Sequence, residues 1–194
     1  MNSKKILIII VLAQFCCTSL WFAGNAIMND LILNFNLSSD NLAYLTSAVQ
    51  FGFIIGTLLF AILTISDRFS PSKVFFVCAT LGGIINLCIT IESNTLTTLL
   101  LLRFLTGFFL AGIYPIGMKI ASDYFEKGLG TSLGFLVGAL VLGTAFPHIL
   151  KANQSLITWS SVIYTTSILA ITGGLLMYFL VPDGANRKTG AKFE

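Results

Sequence analysis

The chain has 194 residues, 56% of them apolar and only 10% charged, with a mean hydropathy of +0.91. Soluble domains carry about 25% charged residues, so a soluble fold is excluded and an all-α membrane protein is expected. The net charge of +3 decides little as a total, and the basic residues are scattered over short loops, which gives no footing for nucleic acid.

The charge-free stretches place the spans, since roughly 18 apolar residues cross a bilayer as a helix. Barrel strands would be shorter and would alternate apolar with polar residues, and none of these stretches does. The first runs over residues 6 to 29, behind Lys4 and Lys5, and is longer than a signal-peptide core. It carries Gln14, Thr18, Trp21 and Asn25 at intervals of four, three and four, so the four share one side of a helix. The second, 41 to 66, repeats the pattern with Thr46, Gln50, Phe53 and Thr57, and has Gly52 and Gly56 on an adjacent strip. A third covers 74 to 91. The fourth, from about Leu96 to Met118, is interrupted once, by Arg103. The fifth (128 to 150) and sixth (152 to 182) complete the set.

Arg103 is the ionised group set well inside a span, about seven residues or ~10 Å from the nearer end. At a helix centre it would cost about 2.5–3.5 kcal/mol on insertion scales, so it is expected to face a polar cavity. Steps of four, seven and eleven reach Gly107, Leu110 and Tyr114, which puts arginine and tyrosine on one face, and Pro115 then predicts a kink. The stripes of the first, second and fourth spans together predict a cavity whose path residues are Arg103, Tyr114, Asn25, Gln50, Trp21, Thr18 and Gln14. An arginine that snorkels or holds backbone carbonyls, beside hydrogen bonds that merely tie helices together, would give the same pattern.

In the fifth span Gly130, Gly134 and Gly138 recur every four residues and predict a close-packing seam for a neighbouring helix. His148 lies near that span's end and reads as a solvated residue. Cys16, Cys17, Cys78 and Cys88 all fall inside spans as packing residues. No cluster has metal-ligand spacing and no nucleophile signature is present. No catalytic residue, metal or other cofactor is therefore expected.

Two echoes suggest duplication. Gly52-Phe53-Ile54-Ile55-Gly56-Thr57-Leu58 returns as Gly134-Phe135-Leu136-Val137-Gly138-Ala139-Leu140, and Ala79-Thr80-Leu81-Gly82-Gly83-Ile84-Ile85 returns as Ala170-Ile171-Thr172-Gly173-Gly174-Leu175-Leu176. Both fall in matching spans of two three-helix units, a 3+3 inverted repeat of the kind from which secondary transporters are built. Cations concentrate at Lys4, Lys5, Arg68, Lys73, Lys119, Lys127, Arg187, Lys188 and Lys192, with Lys151 alone on the other side. The positive-inside rule then puts both termini in the cytoplasm, which an even number of helices requires. The connections 92–95 and 151–154 would face outward.

The loop Ser66-Asp67-Arg68-Phe69-Ser70-Pro71-Ser72-Lys73 resembles the signature between helices two and three of the major facilitator superfamily. Asp67 and Arg68 match it and Lys73 supplies a late basic residue, while Leu63 and Ser70 stand at its glycine positions. Arg103 followed by Gly107 resembles a second signature, associated with proton coupling in some members. Gly138-Ala139 departs from the glycine-proline pair that antiporters of the family often carry. The resemblance implies a six-helix amino-terminal half over residues 1–181 and, in 182–194, the start of a cytoplasmic linker. It implies that Asp67, Arg68 and Lys73 form a conformational gate, and that a second six-helix half or a second copy completes the solute site.

The function expected is secondary transport of a small polar or anionic solute across an inner membrane, with a proton or another ion as a candidate for coupling. The partners are the bilayer, the solute, and a homodimer mate or separate half. A non-transporting assembly or regulatory partner and an inactive truncated fragment are the alternatives.

Overall fold

The computed structural model describes residues 3–152 and 158–184, and every regular element among them is helical. Arg187, Lys188 and Lys192 of the predicted tail, and Asn153 and Gln154 of the predicted outer connection, lie outside the described residues. Among the described residues, five helical stretches are long and apolar enough to cross a membrane: Asn41–Ile62, Pro71–Thr90, Leu96–Tyr124, Leu129–Ala152 and Trp159–Leu180.

The first predicted span is not one rod. Helix α1 (Ser3–Thr18) stops, the chain turns through residues 19–22, and α2 (Ala23–Ala26) and α3 (Met28–Phe35) follow. The stop has a local cause. The Ser19 hydroxyl donates to the Cys16 carbonyl (2.7 Å), which the next turn would have used, and the Thr18 hydroxyl donates back to the Gln14 carbonyl (2.8 Å). Beyond it α3 continues to Phe35, past the expected end at 29, and closes on Asn36 in the left-handed conformation (φ 49°).

Helix α4 (Asn41–Ile62) leads through the short α5 (Ile65–Arg68) into α6 (Pro71–Leu87), where the proline sits in the first turn, the place its missing N–H costs nothing. Thr95 and Thr98 form a reciprocal cap that starts α7 (Leu96–Leu110). The kink expected at Pro115 begins earlier, at residues 111–113. Ala111, Gly112 and Ile113 donate three residues back before α8 (Tyr114–Tyr124) resumes, because a proline ring collides with the carbonyl four residues before it. Helices α9 (Leu129–Ala152) and α10 (Trp159–Leu180) complete the bundle, the latter capped by Thr158.

The bundle has two ends. At one, Ile6 and Val181 share a core with Ile120 and Met177, so the described chain begins and finishes there. At the other, the Lys151 ammonium meets Asp30 at 2.8 Å and ties α9 to α3. These are the terminal end and the far end below.

Buried faces recur along the chain. Helix α7 buries Leu99, Arg103, Thr106, Gly107 and Leu110; 93 positions earlier stand Ile6, Ile10, Ala13, Gln14 and Cys17, all buried in α1. Ala170, Gly173 and Gly174 of α10 repeat Ala79, Gly82 and Gly83 of α6 at a spacing of 91. Ser132, Leu136, Ala139 and Gly143 of α9 repeat Leu45, Val49, Gly52 and Gly56 of α4 at a spacing of 87. The Gly-Phe-x-x-Gly-x-Leu echo has a spacing of 82, five residues out of step with the faces that pack.

Candidate functional site

Arg103 is the largest fully buried side chain among the described residues, 1% exposed. Helix α7 aims it at the break in the first helix, where its Nη2 donates to the Trp21 carbonyl and to Asn25 Oδ1, both at 2.9 Å. An unbroken helix would have given the Trp21 carbonyl to its own backbone; here the arginine takes it. Asn25 passes the contact on, its Nδ2 donating to Thr46 Oγ1 of α4 at 3.0 Å. Gly24 makes room, since a Cβ there would stand 2.9 Å from both Cζ and Nε of Arg103. The Nε and Nη1 atoms are buried without a hydrogen-bond partner, and no carboxylate pairs with this cation among the described residues. A guanidinium so held is costly, and an anion placed beside the two free nitrogens would offset that cost.

Thr46 also lines an open recess on α4, about 450 Å³, together with Gln50 and Phe51. The chain Arg103, Asn25, Thr46 thus runs from the sealed cation toward that surface. The Trp21 ring packs 4.5 Å from that of Phe53, and its indole N–H is buried without a partner.

Not every predicted path residue joins them. Thr18 lies beyond the break against Gly143 and Phe15, on the α9 side. Gln14 is fully buried against Gly117 of α8, with both amide atoms unpartnered. The stripe assumed one continuous helix, and the turn at 19–22 divides it into Gln14 and Thr18 on one side and Trp21 and Asn25 on the other. Tyr114 is half-buried and makes no hydrogen bond to Arg103, from which the interruption at 111–113 separates it.

At the terminal end Asp67 meets Lys119 at 3.6 Å, and Lys119 meets Asp123 at 3.0 Å. Arg68 and Lys73 are exposed. The chain after α10 is fastened across this end: Ser70 donates to Asp183 and Ser72 to the Val181 carbonyl, both at 2.7 Å, and the Tyr124 hydroxyl donates to the Pro182 carbonyl.

The glycines divide. A Cβ on Gly52 would strike the backbone of Phe104 and Phe108, one on Gly56 would come within 2.6 Å of the Phe108 carbonyl, and one on Gly107 would strike Val49. Helices α4 and α7 therefore meet backbone to backbone. The seam expected at Gly130, Gly134 and Gly138 is a correction: nothing described lies within 4 Å of a Cβ at any of them. Gly134 sits ~200° round the helix from the buried Leu136, so these glycines point away from the bundle. The seam of α9 is Gly143, against Phe15 and Thr18.

Sequence reasoning missed Gly24, Asp123 and the Asp30–Lys151 pair. Lys119 and Asp123 are spaced four apart, which is a readable signal. Gly24 and Asp30 gave none, because their partners are 79 and 121 residues away.

The family model described as "Major Facilitator Superfamily" matches residues 10–194. The chain is 26% identical over 186 residues to a protein of Escherichia coli O157:H7 described as "Uncharacterized transporter YgaY", covering 93% of this chain and 45% of that one. It is 21% identical over 160 residues to the "Bicyclomycin resistance protein homolog" of Haemophilus influenzae, covering 79% and 38%. The chain spans about half the length of the curated relatives it matches, or less.

Proposed function

The chain belongs to the major facilitator superfamily, and on that premise we propose that it is a module for secondary transport of a small polar or anionic solute across an inner membrane. Its role in membrane transport follows from the family and from relatives named as transporters. The observation that carries the finer reading is Arg103: a sealed cation with two unpartnered nitrogens, reaching the break in the first helix. Broken helices whose freed backbone groups face a central site are a transporter device. In this reading an acidic group of the solute occupies Nε and Nη1 once the site opens, Asn25 and Trp21 orient it, and Gln50 and Thr46 mark the approach. A proton or another ion is the candidate for coupling.

We assign the architecture to six helices as a 3+3 inverted repeat, counting α1 to α3 as one span, with both termini cytoplasmic and residues after 181 beginning a linker. The recurrence of buried faces between α1 and α7, α4 and α9, and α6 and α10 supports it. Asp67, Arg68 and Lys73 form the gate of this reading, with Lys119 holding Asp67 in place. A separate second half or second copy supplies the other wall, and the outward glycines Gly130, Gly134 and Gly138 are free to meet it.

The test is uptake by reconstituted vesicles of radiolabelled small carboxylates, with bicyclomycin included because one relative carries that name. Arg103→Ala should cut uptake at least tenfold while membrane insertion and melting hold near the parent's, and Arg103→Lys should recover part of it. Undiminished uptake by Arg103→Ala would remove the arginine from the mechanism.

A further inference from the structure

A second polar site lies at the far end of the bundle, away from Arg103. A cleft of about 460 Å³ opens between the close of α3, the turn after α6 and the start of α10. Its walls include Asn34, Phe35, Glu92, Trp159 and Tyr164. Phe35 and Trp159 stand 6.3 Å apart with ring planes at 76°, which makes two aromatic walls at nearly a right angle. Tyr164 is 47% exposed, so its ring is open to whatever enters. Glu92 is exposed and forms no ion pair among the described residues.

The charges around the cleft point one way. Lys151, at this end of the bundle, is engaged with Asp30 and is not among the lining residues. The α10 amino terminus brings a partial positive charge, and Thr158 already accepts from the Ser161 N–H there. The α3 carboxyl end, at Asn34 and Phe35, brings a partial negative charge that opposes it. The full charge of Glu92 then decides the sign. Aromatic faces beside a lone carboxylate favour a cation whose charge is spread over alkyl groups, because ring quadrupoles attract it and it is cheap to desolvate. A bare metal ion would find one carboxylate and no other anionic ligand, too few for a hard cation.

We infer that this cleft binds an organic ammonium group, with Glu92 as counter-ion and Phe35, Trp159 and Tyr164 as its aromatic walls. The shared chemistry is an alkylammonium, whether from a phospholipid headgroup or from a soluble amine. The inference stands apart from the transport reading, since it uses no residue of the Arg103 site.

The experiment is calorimetric titration of the full-length chain in detergent with choline, and with 3,3-dimethylbutan-1-ol as its uncharged isostere. Choline should bind saturably and the alcohol at least tenfold more weakly. Glu92→Gln should weaken choline at least tenfold with an unchanged melting temperature, and Trp159→Leu should weaken it severalfold. Equal binding of choline and the alcohol, or an undiminished affinity in Glu92→Gln, would overturn the site. Repeating the titration in nanodiscs with and without phosphatidylethanolamine separates the sources. Displacement of choline by that lipid makes the headgroup the occupant, an unchanged titration makes it a soluble amine, and either result upholds the ammonium site.

Discussion

Residues 52–58 and 134–140 are spelled almost alike and live in different surroundings. In α4 both glycines of the segment are buried, pressed onto the α7 backbone at Phe104 and Phe108. In α9 both are exposed, and the buried face passes instead through Leu136, Ala139 and Gly143. Glycines four apart permit two helices to approach closely, but they do not decide which helix approaches. That depends on where the segment falls in the register of the buried face, and the two copies differ there by five residues.

Added side chains should affect the two segments unequally. Gly52→Leu has the largest expected effect, because its Cβ would meet backbone that cannot swing aside; overpacking of this kind costs about 3 kcal/mol or more. The variant should be lost to aggregation or melt far below the parent in detergent, as followed by size-exclusion chromatography and thermal scanning. Next comes Gly143→Leu. Its neighbours are the Phe15 carbonyl at 2.6 Å and the movable Thr18 hydroxyl, so about 2 kcal/mol is expected, read as a lowered melting temperature with protein still recovered. Gly138→Leu should do least. With nothing described within 4 Å, its stability should stay within about 0.5 kcal/mol of the parent. A Gly138→Leu melt as low as that of Gly52→Leu would show that the two copies are packed alike after all. A stable Gly138→Leu that no longer self-associates in crosslinking would show that this face meets a second copy.

The Arg103 site shows the same division between what is written locally and what is not. Periodicity in the first span brought Trp21 and Asn25 toward the arginine, and the structure joins all three. The same periodicity also enlisted Gln14 and Thr18, which lie across a break. That break depends on the Thr18 and Ser19 hydroxyls turning back on their own helix, a choice these side chains make only in some settings. The second break was announced by Pro115 but starts at Ala111, because the proline acts on the turn before it.

Charge-free runs long enough to span as helix, without the alternation of barrel strands, already mark a helical membrane chain before any packing is known. The residue pattern also raises the expectation that Arg103 faces polar partners, and it spells matching segments around Gly82-Gly83 and Gly173-Gly174, glycines that the structure buries in α6 and α10. Which glycines are seams, how Gly24 clears space for the guanidinium, and that Asp30 reaches Lys151 across 121 residues emerge once the helices pack. The physical reason is that hydropathy and helical period are properties of neighbours along the chain. A seam or an ion pair is fixed by the rotation and register of two helices against each other, which no single segment contains.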